Sequence, residues 1–173
     1  MKICFLDSSP IPYTSSDLES KNIRGAENVI IHLSRELSKL DIDVDVYNNC
    51  LKKKIIENVK WSNLDNVNKN TTYDIAFTNN DIRLFDKVIA KKYVAFSHSI
   101  QSIEKFIRKG QLISYLKYKP KIILLGKYHE KNRNFLLKIF GTINLQWAVD
   151  PLFLETSLDE STIETVSYTH LTL

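Results

Sequence analysis

Apolar residues in this chain fall alternately into short compact runs and longer stripes at helical spacing. The first run, Lys2–Leu6, ends at Asp7-Ser8-Ser9-Pro10, whose turn formers stop strand pairing. Residues 7–23 show little periodicity and are rich in Ser, Asp, Asn, Pro and Tyr. They form a connection longer than the usual two to six or so residues between a strand and a helix, as binding loops do. From Gly25 onward Ala26, Val29, Ile30, Leu33, Leu37 and Leu40 recur at helical spacing, with His32, Arg35, Glu36 and Lys39 mostly off that stripe. Residues 43–47 then predict a second strand and complete a strand–helix–strand unit.

Beyond it the pattern predicts a short basic helix over 51–60, an Asn-rich loop over 62–72 and a strand over 73–78. A helix over 82–91, a strand over 93–96 and a longer basic amphipathic helix over 102–118 follow. The last elements are a strand over 121–125, a helix over 127–140 and a strand over 143–146. Runs such as Ile122-Ile123-Leu124-Leu125 lack alternation, which fits strands covered on both faces. The fold class this predicts is α/β: a doubly wound, Rossmann-like parallel sheet with helices on both faces. Ligands of such sheets bind outside the carboxyl ends of the strands. That edge collects Asp7 to Pro10, Arg24-Gly25, Asn79-Asn80 and Ser97-His98-Ser99.

Composition narrows the picture only in places. With 173 residues, 43% hydrophobic and 25% charged, the chain suffices for one sizeable core and does not read as disordered. Its net charge of +4 suits anionic partners, but no DNA- or RNA-binding signature accompanies it, so nucleic acid is not an expected partner. Cys4 and Cys50 lie a whole strand–helix unit apart and are expected to be reduced thiols. His32, His98, His129 and His170 have no neighbours at metal-ligand spacing, so no metal is expected. No segment approaches the roughly 20 apolar residues of a membrane span, and the N-terminal run is too short for a secretory signal. The expected location is cytoplasmic, and the basic amphipathic residues 102–119 fit either a core-facing helix with a solvated basic face or a helix in peripheral contact with the inner face of the membrane.

Candidate chemistry centres on Arg24-Gly25-Ala26-Glu27. The first turn of the helix leaves backbone N–H groups unpaired, and Gly25, lacking a Cβ, admits close approach of a phosphate or carboxylate. Equally, Gly25 would fit a tight turn into the helix, with Glu27 favouring its dipole and Arg24 solvated. His98 follows an apolar strand at the ligand edge between two serines; it either lines a substrate cleft or hydrogen-bonds a loop. Neither G-x-G-x-x-G nor a P-loop occurs.

In order and spacing, these segments resemble the N-terminal, acceptor-binding half of a family 4 glycosyltransferase, one of the retaining, nucleotide-sugar-dependent enzymes with the two-domain GT-B fold. Arg24-Gly25-Ala26-Glu27 with His32 to Leu37 is similar to the family's Gly-Gly-Ala-Glu motif and its helix, and Val44 to Tyr47 to the next strand. Asp74 to Phe77 resembles the third strand, and Phe96-Ser97-His98 the strand end whose histidine lies beside the transferred sugar. Ile122 to Tyr128 and Trp147 to Phe153 resemble the later strand and the exit towards the interdomain linker. Arg24 stands where the family has its first glycine, so it would offer charge to the diphosphate.

The resemblance implies a domain over 1–153 and the start of a linker over 154–165. Residues 166–173 resemble a translated sequencing adapter. It implies a catalytic role for His98 and substrate or diphosphate contacts from Ser9, Arg24, Gly25, Ala26, Asn79 and His98. It implies no cofactor beyond a nucleotide-diphosphate sugar as donor substrate, and a cell-envelope glycan or lipid-linked acceptor. A chain lacking the donor half is expected to be inert alone. The alternative is a non-catalytic Rossmann-like binding or assembly domain.

Overall fold

A computed structural model describes residues 1–18, 23–97, 102–124 and 126–145. Among them an eight-stranded sheet forms the backbone of the fold, with strand order β3-β4-β2-β1-β5-β6-β7-β8. The strands are β1 (Lys2–Leu6), β2 (Asp43–Asn48), β3 (Lys54–Ile56), β4 (Val59–Asn63), β5 (Thr72–Asn79), β6 (Ile89–Phe96), β7 (Lys121–Leu124) and β8 (Thr142–Asn144). All neighbours pair in parallel except β3, which runs antiparallel to β4 at the edge. The helices are α1 (Gly25–Lys39), α2 (Ile103–Arg108), α3 (Leu112–Tyr118), α4 (Lys127–Lys131) and α5 (Phe135–Phe140). The fold is therefore the α/β, mostly parallel, Rossmann-like architecture predicted.

Two apolar layers sandwich the sheet, because successive side chains of a strand point to opposite faces. On β1, Ile3 and Phe5 join Ile30 and Ile31 of α1, while Cys4 and Leu6 join Phe106, Tyr115 and Leu137 from α2, α3 and α5. Trp61 is fully buried in the first layer, edge-on to Tyr13 at 6.0 Å. Phe106 stacks on Tyr115 at 4.6 Å in the second.

The face α1 turns inward differs from the predicted stripe. Ile30, Ile31, Ser34 and Ser38 are buried, Val29, Leu33 and Leu37 are half-buried, and Leu40 is exposed. Small serines let α1 approach the sheet closely, and their hydroxyls are satisfied locally, by Ile31 O for Ser34 and by Arg35 O and Glu57 O for Ser38.

Other expectations give way as well. The predicted helix over 51–60 is the hairpin of β3 and β4. Its two-residue turn, Glu57-Asn58, has φ of 52° and 63°, the primed geometry that matches strand twist. Arg35 pairs with the Glu57 carboxylate and ties that turn to α1. β4 consequently extends into the predicted 62–72 loop, and a 3₁₀ turn, Leu64–Asn66, follows it. The predicted 82–91 helix is only the 3₁₀ segment Ile82–Lys87, capped by Asp81, and β6 begins at Ile89 to pair along β5. The helix over 102–118 breaks at Gly110, whose φ is 64°. There Gly110 N–H donates to Ile107 O and Gln111 N–H to Phe106 O, the paired bonds of a Schellman stop. Finally, the 127–140 helix divides into α4 and α5, with Asn134 capping the second, and the closing strand is Thr142–Asn144. Leu125 and Gln146 lie outside the described residues.

Candidate functional site

β1 is flanked by β2 on one side and β5 on the other. The chain winds from β1 through α1 to β2 in one direction and later returns to β5, so the strand order switches between β1 and β5. Connections diverge at such a point and leave a crevice at the carboxyl ends of the strands. Here that crevice has a volume of about 530 Å³. It is built from the end of β1 (Asp7, Ser8, Ser9), the start of α1 (Arg24, Ala26, Glu27), the end of β5 (Asn79, Asn80), and Asp81, Arg83, Lys109 and Gln111.

Its floor is a buried polar network. The Asp7 carboxylate accepts from Tyr13 OH at 2.7 Å, from Ser9 N–H at 3.2 Å and from Asn79 Nδ2 at 3.4 Å. Burial pushes the Asp7 carboxyl above its ordinary value; the three donors pull it back and the nearby Glu27 charge pushes further up. Tyr13 thus anchors the long β1–α1 connection three ways. Its ring meets Trp61, its hydroxyl meets Asp7, and its carbonyl accepts from Asn48 Nδ2 at 2.7 Å.

Glu27, third residue of α1, is 3% exposed. Its Oε1 accepts from Ser9 Oγ at 2.6 Å and from Arg24 Nε at 3.1 Å, and lies 2.9 Å from Arg24 Nη2. Arg24 Nη2 also donates to Ser9 Oγ at 2.9 Å. Burial alone would raise the Glu27 carboxyl, but the hydrogen bonds from Ser9 and its own backbone, with the Arg24 charge, outweigh it and hold the group below its ordinary value. An N-terminal helix dipole acts in the same direction.

The other wall is less regular. Asn80 adopts φ 60° and donates its N–H to Phe96 O, binding the end of β5 to β6. Arg83 clasps Asp81 through Nε at 2.9 Å and Nη2 at 2.8 Å. Gln111, just past the Gly110 stop, donates to Asn80 O at 3.1 Å. The mouth therefore carries three cations, Arg24, Arg83 and Lys109, from three separate elements. Among the described residues, only Lys109 of the three has no carboxylate partner.

Of the residues expected from sequence, Ser9, Arg24, Ala26 and Asn79 line this one crevice. Gly25 is the first residue of α1 beside it. A Cβ at Gly25 would meet nothing within 4 Å and its φ is not left-handed, so the turn itself does not require glycine. His98 lies outside the described residues, as do 19–22 of the long loop. Sequence reasoning missed the roles of Asp81, Arg83, Lys109 and Gln111. The one local signal for them is Gly110, which marks a helix stop between Lys109 and Gln111.

Among the described residues there is no group of three or more His, Cys, Asp or Glu able to hold a metal. No described helix is long and apolar enough to cross a membrane. No protein-family model, no curated protein and no solved structure matches the chain.

Proposed function

We propose that this chain is the acceptor-binding half of a retaining glycosyltransferase, and that the β1–β5 crevice receives the sugar and phosphate portions of its ligands. The observation that carries the reading is the lining. Carboxylates, amides and hydroxyls form the floor, cations ring the mouth, and Ala26 is the lone apolar residue among the twelve described residues of the lining. Sugar hydroxyls need paired donors and acceptors, and phosphates need cations or helix N-termini. A nucleobase needs a flat apolar or aromatic platform, which the described residues of this lining do not supply. In the proposed enzyme the base belongs to a second, donor-binding domain.

Arg24 is proposed to contact phosphate through the part of its guanidinium not engaged by Glu27 and Ser9. Ser9 and Asn79 would bond sugar hydroxyls, and Gly25 and Ala26 would offer backbone N–H groups. His98 is proposed, from the sequence resemblance alone, as the residue beside the transferred sugar. Transfer would require the donor wall, so catalysis is not proposed for this crevice alone.

Protein-observed NMR titration with a hexose 1-phosphate and, separately, with an unphosphorylated nucleoside tests the reading. The sugar phosphate is expected to shift resonances around Ser9, Arg24 and Asn79, and Arg24→Gln to weaken it about tenfold, the loss of one charge-assisted bond. Nucleoside binding as strong as that of the sugar phosphate, or undiminished binding to Arg24→Gln, would overturn it.

A further inference from the structure

α2 and α3 each bury one face and leave aliphatic side chains outside. Phe106 and Tyr115 go into the core, yet Ile107 is 60% exposed, Ile113 80% and Leu116 44%. Ile113 and Leu116 stand three apart, on one face of α3. Around them, residues 102–119 contain five basic side chains and a single acidic one, Glu104. Lys117 is ion-paired with Asp86. Among the described residues, Arg108 and Lys109 have no carboxylate partner. Burial, followed by the charges of Lys109 and Arg108, lowers the Lys105 ammonium.

Aliphatic side chains held in water beside unpaired cations are an energetic cost in an isolated domain. A surface that is anionic at its face and apolar beneath removes it. Nucleic acid would meet the charge but prefers aromatic side chains on which bases stack, and none is exposed among the aliphatic residues of α2 and α3. A second copy of the chain would set like charges against each other.

We propose that the α2–α3 lobe docks the protein on an anionic lipid surface, with Ile107 and Ile113 entering the headgroup layer and Arg108 and Lys109 held by lipid phosphates. Lys109 also lines the crevice, so docking turns the crevice mouth towards the bilayer. An acceptor carried on a lipid would then reach it without leaving the membrane. The docking does not depend on the sugar-transfer reading, and vesicle binding without any sugar ligand is its own readout.

The test is cosedimentation of the full chain with vesicles of phosphatidylglycerol and phosphatidylcholine, and with phosphatidylcholine alone. Binding to the anionic vesicles is expected at about 0.1 M salt and strong loss at about 1 M, as the Debye length falls from roughly 10 to 3 Å. Arg108→Gln with Lys109→Gln should weaken it about 25-fold, roughly fivefold per cation. Ile107→Ser with Ile113→Ser should weaken it about tenfold at low salt, from lost apolar insertion. Thermal unfolding checks that both variants fold, and Ile113→Ser alone serves if the pair does not. Equal binding to neutral vesicles, no binding to anionic ones, unchanged binding of the folded isoleucine variants, or tighter binding to a single-stranded oligonucleotide or an acidic protein would each overturn the proposal.

Discussion

Glu27 and Asp7 are both buried at the crevice, yet replacing their charges should have opposite consequences. Glu27 Oε1 gathers donors from Ser9 and Arg24, and its side chain is 4% exposed. Glu27→Gln keeps the shape and removes the charge. Hydrogen bonds to a charged group contribute about 1.5–3 kcal/mol, against about 0.5–1.5 for neutral ones. The Arg24 side chain is 58% exposed, so solvent screens its share. The expected loss at neutral pH is about 1–2 kcal/mol, or roughly 2–8 °C in Tm for a chain this size. The folded-state pKa of Glu27 lies below its ordinary 4.5, so this stability is complete above that value and disappears as pH falls through the folded pKa. Asp7 behaves inversely. Its folded pKa is raised from 3.8, so its ionisation opposes folding at neutral pH, and that opposition fades on acidification. Asp7→Asn should therefore cost less than Glu27→Gln at neutral pH, and the Glu27→Gln deficit should close once the native carboxylate is protonated. Circular-dichroism melting from neutral to acid pH gives both numbers. A deficit for Glu27→Gln that does not change with pH, or an Asp7→Asn variant less stable than Glu27→Gln at neutral pH, would refute the assignment of these two roles.

Two further outcomes follow from the fold. Gly110→Ala places a Cβ at φ 64° in the stop between α2 and α3 and should destabilise the protein by about 1 kcal/mol in urea titrations; an unchanged midpoint would count against the left-handed stop. Cys4 is fully buried and Cys50 is 4% exposed, and burial pushes both thiols above their ordinary range. Neither should react with a disulfide reagent in the native state, and both should react in denaturant; rapid labelling of Cys50 in the folded protein would contradict its burial.

The legible parts of the fold were those where local pattern and tertiary demand coincide. β1 and β7 are compact apolar runs because both of their faces are covered, and α1 opens at the one glycine of the long connection. The hairpin was hidden because Ile55, Ile56 and Val59 sit at helical spacing, while the deciding feature is a left-handed turn at Glu57, a residue with no strong preference for it. Arg35 supplies the missing preference from 22 residues away, a contact no local window contains. β6 similarly begins at Ile89 because its N-terminal half pairs with β5, a partner that periodicity does not reveal. In α1, Ser34 and Ser38 are absent from the apolar stripe but are buried, because their size permits contact and their hydroxyls close on backbone carbonyls.

The crevice divides along the same line. Its first wall, from Ser9 to Glu27, adjoins one strand end and one helix start, where motif and position agree. Its second wall depends on the break at Gly110. A continuous helix over 102–118 would be a rod of about 25 Å with Gln111 in its middle, committed to helical neighbours. Because the Schellman stop turns the chain, Gln111 instead reaches Asn80 O at 3.1 Å and Lys109 joins the mouth. The same turn ends α2 just after Ile107 and starts α3 just before Ile113, leaving both isoleucines in water. One glycine therefore completes the polar crevice and creates the basic, aliphatic lobe beside it. Straightening that turn should impair ligand binding and vesicle docking together, whereas Arg24→Gln should touch only the first.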